Sequence, residues 1–207
     1  MIIRKTILLF LSSLLFISCN PETNDHNPDV IDGALIPSAI GNYWIYIDSL
    51  YIDGEFNSVS FDTMTIVDTM HTLGKKWWKV EGYRTLPYIW EYYAIENDSV
   101  YSIQGGWSPI LSLDYIYPTD SLTVLQTLIE GDLGLLRYVI KSTAPVTTDI
   151  GTFQNCGKYY GGWSKDSQYA EEYIKPGIGF VKSIFWYKNP NQPRYRHSRY
   201  LFDYHFN

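Results

Sequence analysis

The sequence predicts an all-β protein: a single antiparallel, strongly curved sheet or half-barrel of about ten to twelve short strands, with little helix. Three observations carry this expectation. The chain holds 19 Tyr and 7 Trp but only five Ala, and aromatic residues favour strands whereas alanine favours helices. Short β-branched or alternating segments recur at close spacing, each bounded by glycine, proline or Asp/Asn turn signals. No segment shows a clean stripe at the 3.6-residue helical period.

Taken in order, "GNYWIYIDSLYID" (41–53) reads as a strand ending at Asp53-Gly54, a hairpin signal. "SVSFDTMTIVDTM" (58–70) follows, with Val59, Phe61 and Val67 on one parity, and His71 to Gly74 turns the chain into "KKWWKVEGYR" (75–84). "PYIWEYYAIE" (87–96) is expected to pair with "SVYSIQ" (99–104) across Asn97-Asp98. "ILSLDYIY" (110–117) alternates, and "SLTVLQTLIE" and "LLRYVIKST" flank a glycine turn at 131–134. The segment 121–130 competes as a helix, but its β-branched Thr123, Val124 and Thr127 favour a strand. After "TTDIGTFQN" come "CGKYYGGW", "YAEEYI", "GIGFVKSIFWY" and a last strand, "RYRHSRYLFDYHF". Successive strands on short turns point to a meander.

The amino terminus is a targeting segment. Arg4 and Lys5 precede an apolar run, Thr6 to Ile17, shorter than the roughly 20 residues that span a bilayer core. A positive start, a short apolar stretch and a small residue before the cut read as a secretion signal. "LFISC" then resembles the lipobox of bacterial lipoproteins, with Ser18 before the cut and Cys19 as the lipid anchor. "NPETNDHNPDVIDG" is poor in apolar residues and reads as a tether. Glu22 and Asp25 resemble the acidic surface-export signal of lipoproteins in one Gram-negative phylum. The expected organisation is therefore a signal peptide over 1–18, a flexible tether over 19–36 and a single β domain over 37–207. Removing 1–18 leaves 189 of the 207 residues and moves the formal charge from −6 to −8, since Arg4 and Lys5 leave. That length supports one real core, and an acidic chain without a basic run argues against a nucleic-acid partner.

Chemistry-bearing patterns are sparse. "GWSPI" and "GWSKD" both fail the G-x-S-x-G elbow, and the four histidines form neither H-E-x-x-H nor a zinc-finger spacing. No catalytic residue, metal ligand or cofactor is expected. His197, Arg199, Asp203 and His205 share strand parity and are expected on a solvated face; eight residues place the two histidines roughly 26 Å apart, too far to share a metal. Glu91, Glu96, Glu171 and Glu172 are carboxylates by type only, and adjacent Glu171 and Glu172 should face opposite ways. Cys156 lacks a partner if Cys19 is lipidated and reads as a small buried apolar residue.

The tryptophans suggest a surface. In "KKWWKVEGY", Trp78 and Val80 share one face, while Trp77 sits among charged neighbours with Tyr83 on an expected wet face. Trp107 and Trp163 each follow a Gly-Gly pair. Trp77, Tyr83, Trp107 and Trp163 are the candidate ligand-binding residues, since exposed aromatics stack on sugars or anchor partners. Five triplets of Asp, Ser or Thr, then an aliphatic residue or Met, resemble the O-glycosylation signal of exported proteins in the same phylum. They make Ser49, Thr63, Thr69, Ser99 and Ser121 acceptor candidates.

Three ordered patterns, "LIPSAIGNYWIY", "APVTTDIGTFQNC" and "EEYIKPGIGFVKS", resemble those of a set of uncharacterised surface lipoproteins of that phylum. Asp149 stands where the second pattern often has proline. The resemblance implies a β-rich lipoprotein domain and brings no activity. Within the patterns, Gly151, Gly177 and Gly179 suit turns or bulges, and Pro176 should end a strand. The leading expectation is a non-catalytic lipoprotein of the outer membrane, on its cell-surface or periplasmic side, holding a glycan or other polymer, or an envelope protein. The alternatives are a periplasmic carrier or assembly factor for lipid or lipoprotein, a hydrolase, and an accessory part of an envelope complex.

Overall fold

The computed structural model describes residues 34–82, 91–96, 99–104, 110–116, 123–130, 133–141, 145–163, 168–187 and 193–207. The expected signal peptide, Cys19, Tyr83, Trp107, Ser121 and the turns expected at 97–98 and 131–132 lie outside these residues. Fourteen strands and no helix form within them. They are β1 (Tyr43–Ile52), β2 (Glu55–Thr72), β3 (Lys75–Glu81), β4 (Tyr92–Glu96), β5 (Ser99–Gln104), β6 (Ile110–Ile116) and β7 (Thr123–Glu130). Then follow β8 (Leu133–Lys141), β9 (Val146–Thr148), β10 (Gly151–Phe153), β11 (Gly157–Trp163), β12 (Gln168–Lys175), β13 (Gly179–Tyr187) and β14 (Tyr195–His205).

Twelve strands make one antiparallel sheet in the order β6-β5-β4-β3-β2-β1-β14-β13-β12-β11-β8-β7, and β9 and β10 form a separate hairpin. The expected meander is present in two halves, and the first and last strands join them at the centre. The sheet curls until its ends approach. Tyr115 of β6 packs edge-on against Tyr159 of β11 (4.9 Å) and Phe180 of β13 (5.4 Å). Tyr159 closes the gap by donating its hydroxyl to Ile116 O at 2.6 Å.

Alternation decides which side chains enter this curl. On β1, Trp44 and Tyr46 face in, opposite Met64 and Leu201, and all four are buried. The segment before β1 fills one end: Leu35 and Ile36 are each 1% exposed. The packed body thus begins earlier than the tether boundary at 36 read from sequence, because this apolar pair has a core to enter. Its backbone is held by Gly177 N donating to Ala34 O (2.8 Å) and Ile66 N to Asn42 O (2.9 Å). The Trp44 indole N–H donates to Ile178 O at 2.6 Å, tying the same end together.

Several local expectations hold. β7 is a strand, Asp53-Gly54 makes the hairpin turn with φ of 49° and 93°, and β12 ends at Lys175, before Pro176. Gly151, Gly177 and Gly179 all have positive φ. Cys156 is buried, and burial pushes its thiol pKa up to about 11, the environment of an inert thiol.

Gly82 separates backbone strain from crowding. At φ +91°, a Cβ there would collide with Thr63 O, whereas Gly54 at φ +93° opens onto empty space. Gly54→Ala should therefore lose only the left-handed penalty, about 1–2 kcal/mol. Gly82→Ala should lose clearly more in thermal or urea unfolding; equal losses would show that the close approach is absent.

Candidate functional site

The inner face is not uniformly apolar. One cross-strand row runs Asp48 (β1), Arg199 (β14), Ser183 (β13), Glu172 (β12), Tyr159 (β11), each paired in register with the next. Arg199 is 2% exposed, and its Nη2 donates to Asp48 Oδ2 at 3.1 Å and to Asp62 Oδ2 at 2.8 Å. His197 Nδ1 lies 3.6 Å from Asp48 Oδ1. From across the curl, the Tyr115 hydroxyl donates to Glu172 at 2.7 Å. Burial works to raise the Asp48 carboxyl pKa, but the neighbouring His197 ring and the Arg199 guanidinium outweigh it and hold the carboxyl below its ordinary value.

This row corrects one expectation. His197, Arg199, Asp203 and His205 do not share a solvated face. The β1–β14 register shifts between Ile45 and Tyr46, which pair with Asp203 and Leu201, so a bulge at Phe202 reverses the parity. Arg199 and His197 turn inward; His205 turns outward and stacks on Tyr43 at 5.6 Å. Glu171 and Glu172 do face opposite ways, as adjacent strand residues must.

The outer face carries a second array, again fixed by register. One row runs Lys158, Tyr173, Lys182, Tyr200, Ile47, Phe61 from β11 across to β2. The Lys158 ammonium sits over the Tyr160 and Tyr173 rings (4.6 and 5.3 Å). The Lys182 ammonium sits over Tyr173 and Tyr200 (5.4 and 5.3 Å). A parallel row runs Tyr169, Trp186, Arg196, Tyr51, Phe56. Tyr169 packs on Trp186 at 5.0 Å, and the Arg196 guanidinium lies 4.0 Å over Tyr51. Between the rows, Glu171 accepts from Tyr169 (2.9 Å) and Tyr173 (3.1 Å) and pairs with Lys158 (3.2 Å). Partial burial works against the Lys158 ammonium, but hydrogen bonds to Tyr160, Tyr173 and Glu171 raise its pKa overall, so it is charged.

The candidates named from sequence fall elsewhere. Trp77 is wholly buried, its indole N–H donating to Thr72 O at 2.9 Å. It packs with Ala94, Met70, Tyr92 and Tyr101, a small cluster that covers the outer side of β3 and β4; the expected wet face does not exist there. Trp163 ends β11, but its side chain lies outside the described residues, as do Tyr83 and Trp107. Of the acceptor candidates, Thr63 is exposed, while Ser49, Thr69 and Ser99 are half-buried. The expected apolar parity of β2 is also turned outward: Val59 and Phe61 are 54% and 63% exposed. The signal that would have found the outer array was the cationic and aromatic spacing of "GKYYGG", "YAEEY", "KSIFW" and "RHSRY", which means nothing until the register is known.

The buried trio predicts an acid-labile fold. Asp48 has a depressed pKa when folded, so its contribution is complete above the unfolded aspartate value near 3.9 and is lost as pH falls through the lower folded one. Asp48→Asn should flatten that acid limb in urea titrations. Arg199→Met leaves two carboxylates facing each other and should cost about 3–5 kcal/mol at neutral pH. A neutral effect would mean the cluster is solvated.

No protein-family model and no curated protein matches this chain. Among solved structures it is similar to a protein described as a lipoprotein from Parabacteroides distasonis, at 13% identity and TM-score 0.41, covering 83% of this chain and 98% of that one. It is also similar to an exported protein with a YmcC-like fold from Bacteroides fragilis, at 13% identity and TM-score 0.40, with the same coverage. At those scores the likeness carries no argument about what this chain does.

Proposed function

We propose that the protein is a non-catalytic envelope lipoprotein, anchored through Cys19, that captures a glycan polymer on the outer face of β11–β14 and β1. The observation that carries this reading is the pair of register-aligned aromatic rows. Tyr173, Tyr200, Tyr169, Trp186 and Tyr51 lie on one side of a continuous sheet, and rings held on a rigid scaffold stack on sugar rings at little entropic cost. They take the role that the sequence reading gave to Trp77.

The inner polar row counts against the two main rivals. A lipid carrier needs a dry apolar concavity, and here an acyl chain would meet Asp48, Arg199, Ser183 and Glu172. For a hydrolase, Asp48 and Asp62 share one guanidinium nitrogen, close enough for the ~5 Å pairing of a retaining glycosidase. The charge state of Asp48 does not suit the acid of such a pair. A general acid needs a raised pKa, and Asp48 is held low.

Affinity electrophoresis through gels containing common polysaccharides tests the reading. Trp186→Ala and Tyr169→Ala should each weaken retardation roughly tenfold with unchanged melting temperature. Wild-type mobility unaltered by every polymer would defeat it. Intact mass of the protein expressed in its own host reads the two covalent proposals together. An acyl excess should vanish in Cys19→Ala, and a glycan excess should fall in Thr63→Val, Thr63 being the exposed acceptor among those described.

A further inference from the structure

We infer that the polymer held on this outer face is an acidic polysaccharide, one bearing carboxylate or sulfate groups along a sugar backbone. The inference rests on the glycan-capture reading above and adds the charge of the ligand. The chain as a whole is acidic, with formal charge −6, yet among the described residues its two aromatic rows carry Lys158, Lys182 and Arg196 against the one carboxylate of Glu171 between them. Glu171 is committed to Lys158 at 3.2 Å. Among the described residues, Lys182 and Arg196 meet only rings: Tyr173 and Tyr200 for the lysine, Tyr51 for the arginine. A ring face orients a cation while leaving its outward hydrogen-bond donors free.

The spacing suits a polymer. Lys158 and Lys182 stand in one row on β11 and β13 with Tyr173 on β12 between them. Two strand intervals place them roughly 10 Å apart, comparable to the length of a disaccharide. A backbone laid across the two rows would bring its acid groups to the outward donors of Lys182 and Arg196, beside the rings of Tyr169 and Trp186. Arg196 neighbours Trp186 in the second row and offers a planar fork that grips a carboxylate or sulfate through two donors. The rows also follow the circumference of a curled sheet. A flexible chain can follow that convex path, whereas a flat anionic bilayer would touch only part of it.

The test uses the full chain in affinity electrophoresis against alginate and chondroitin sulfate as acidic polymers, dextran and galactomannan as neutral ones, with flotation on phosphatidylglycerol vesicles in parallel. Retardation by an acidic polymer is expected, weakening several-fold as salt rises from about 0.05 M to about 0.5 M, because exposed charges are then screened. Lys182→Gln and Arg196→Gln should each weaken it about fivefold while leaving the melting temperature unchanged. Lys182→Arg, which keeps the charge, should restore it. Equal retardation by neutral polymers, insensitive to salt and to both Gln variants, overturns the acidic assignment and leaves glycan capture standing. Retardation by no polymer overturns both, and vesicle binding without polymer binding replaces them with a membrane-facing surface.

Discussion

The structure hangs on the register between its first and last strands, and one guanidinium fixes that register. Arg199 of β14 lies opposite Asp48 of β1 and reaches Asp62 of β2, so three strands converge on one buried nitrogen. A slip of one residue on β14 would carry Arg199 to the solvent side and strand two carboxylates in the core. Such an error costs far more than the misplacement of an apolar side chain, because an uncompensated buried charge has no remedy short of protonation. The cluster thereby acts as a lock on alignment at the seam where the two halves of the meander join. The seam is also where alignment is least supported by local sequence, since β1 and β14 lie at opposite ends of the domain.

The lock reaches the outer face through the pleat. Residues flanking Arg199 on β14 point outward, and one of them, Tyr200, stands beside Lys182 and Ile47. The β13–β14 register that sets Ser183 beside Arg199 also sets Lys182 beside Tyr200, and the β1–β14 register extends that row to Ile47. The two faces use aromatics differently as a result. Inside, Tyr93, Tyr115 and Tyr159 spend their hydroxyls on Pro37 O, Glu172 and Ile116 O, so each ring fills core volume without an orphaned polar atom. Outside, Tyr173 and Tyr200 present their faces to ammonium groups. The high tyrosine content is thus a joint demand of a wide curled core and a cationic platform.

The sheet class, its curvature and most strand positions were legible in the sequence, because turn chemistry and β-branched runs are local signals. Which face each residue occupies was less so. Parity carries from end to end only in a strand without bulges, and β14 reverses at Phe202 while the β2–β3 pairing shifts near Val67. Trp77 misled for a related reason. Charged neighbours suggested a wet face, but Met70, Tyr92 and Tyr101 arrive from adjoining strands to bury it, and no local pattern reports that. The Asp-Ser/Thr triplets show the same ambiguity from the other side. In 48–50 and 62–64, the acid turns inward to Arg199 while the hydroxyl residue turns outward. Alternation alone can therefore select such triplets, and it also leaves their hydroxyl residues on the outer side.

A curled sheet forces a choice between its two faces as binding surfaces. Its concavity is narrow, and here Tyr115, Tyr159 and Phe180 meet across it; polar groups inside pair with one another, as Arg199 does with Asp48 and Asp62 and Tyr115 with Glu172. The convex side suffers no such crowding, and strands diverge there, so side chains two strands apart can each hold a separate group of one extended ligand. Recognition by rows rather than by a closed cavity favours long repeating partners, whose affinity grows with the number of matched units. It also accounts for paired cations and rings on a surface where an acidic protein would otherwise carry acids. The inner polar row and the outer Lys–Tyr row are read from the same registers, β11 through β14, on opposite sides of the pleat.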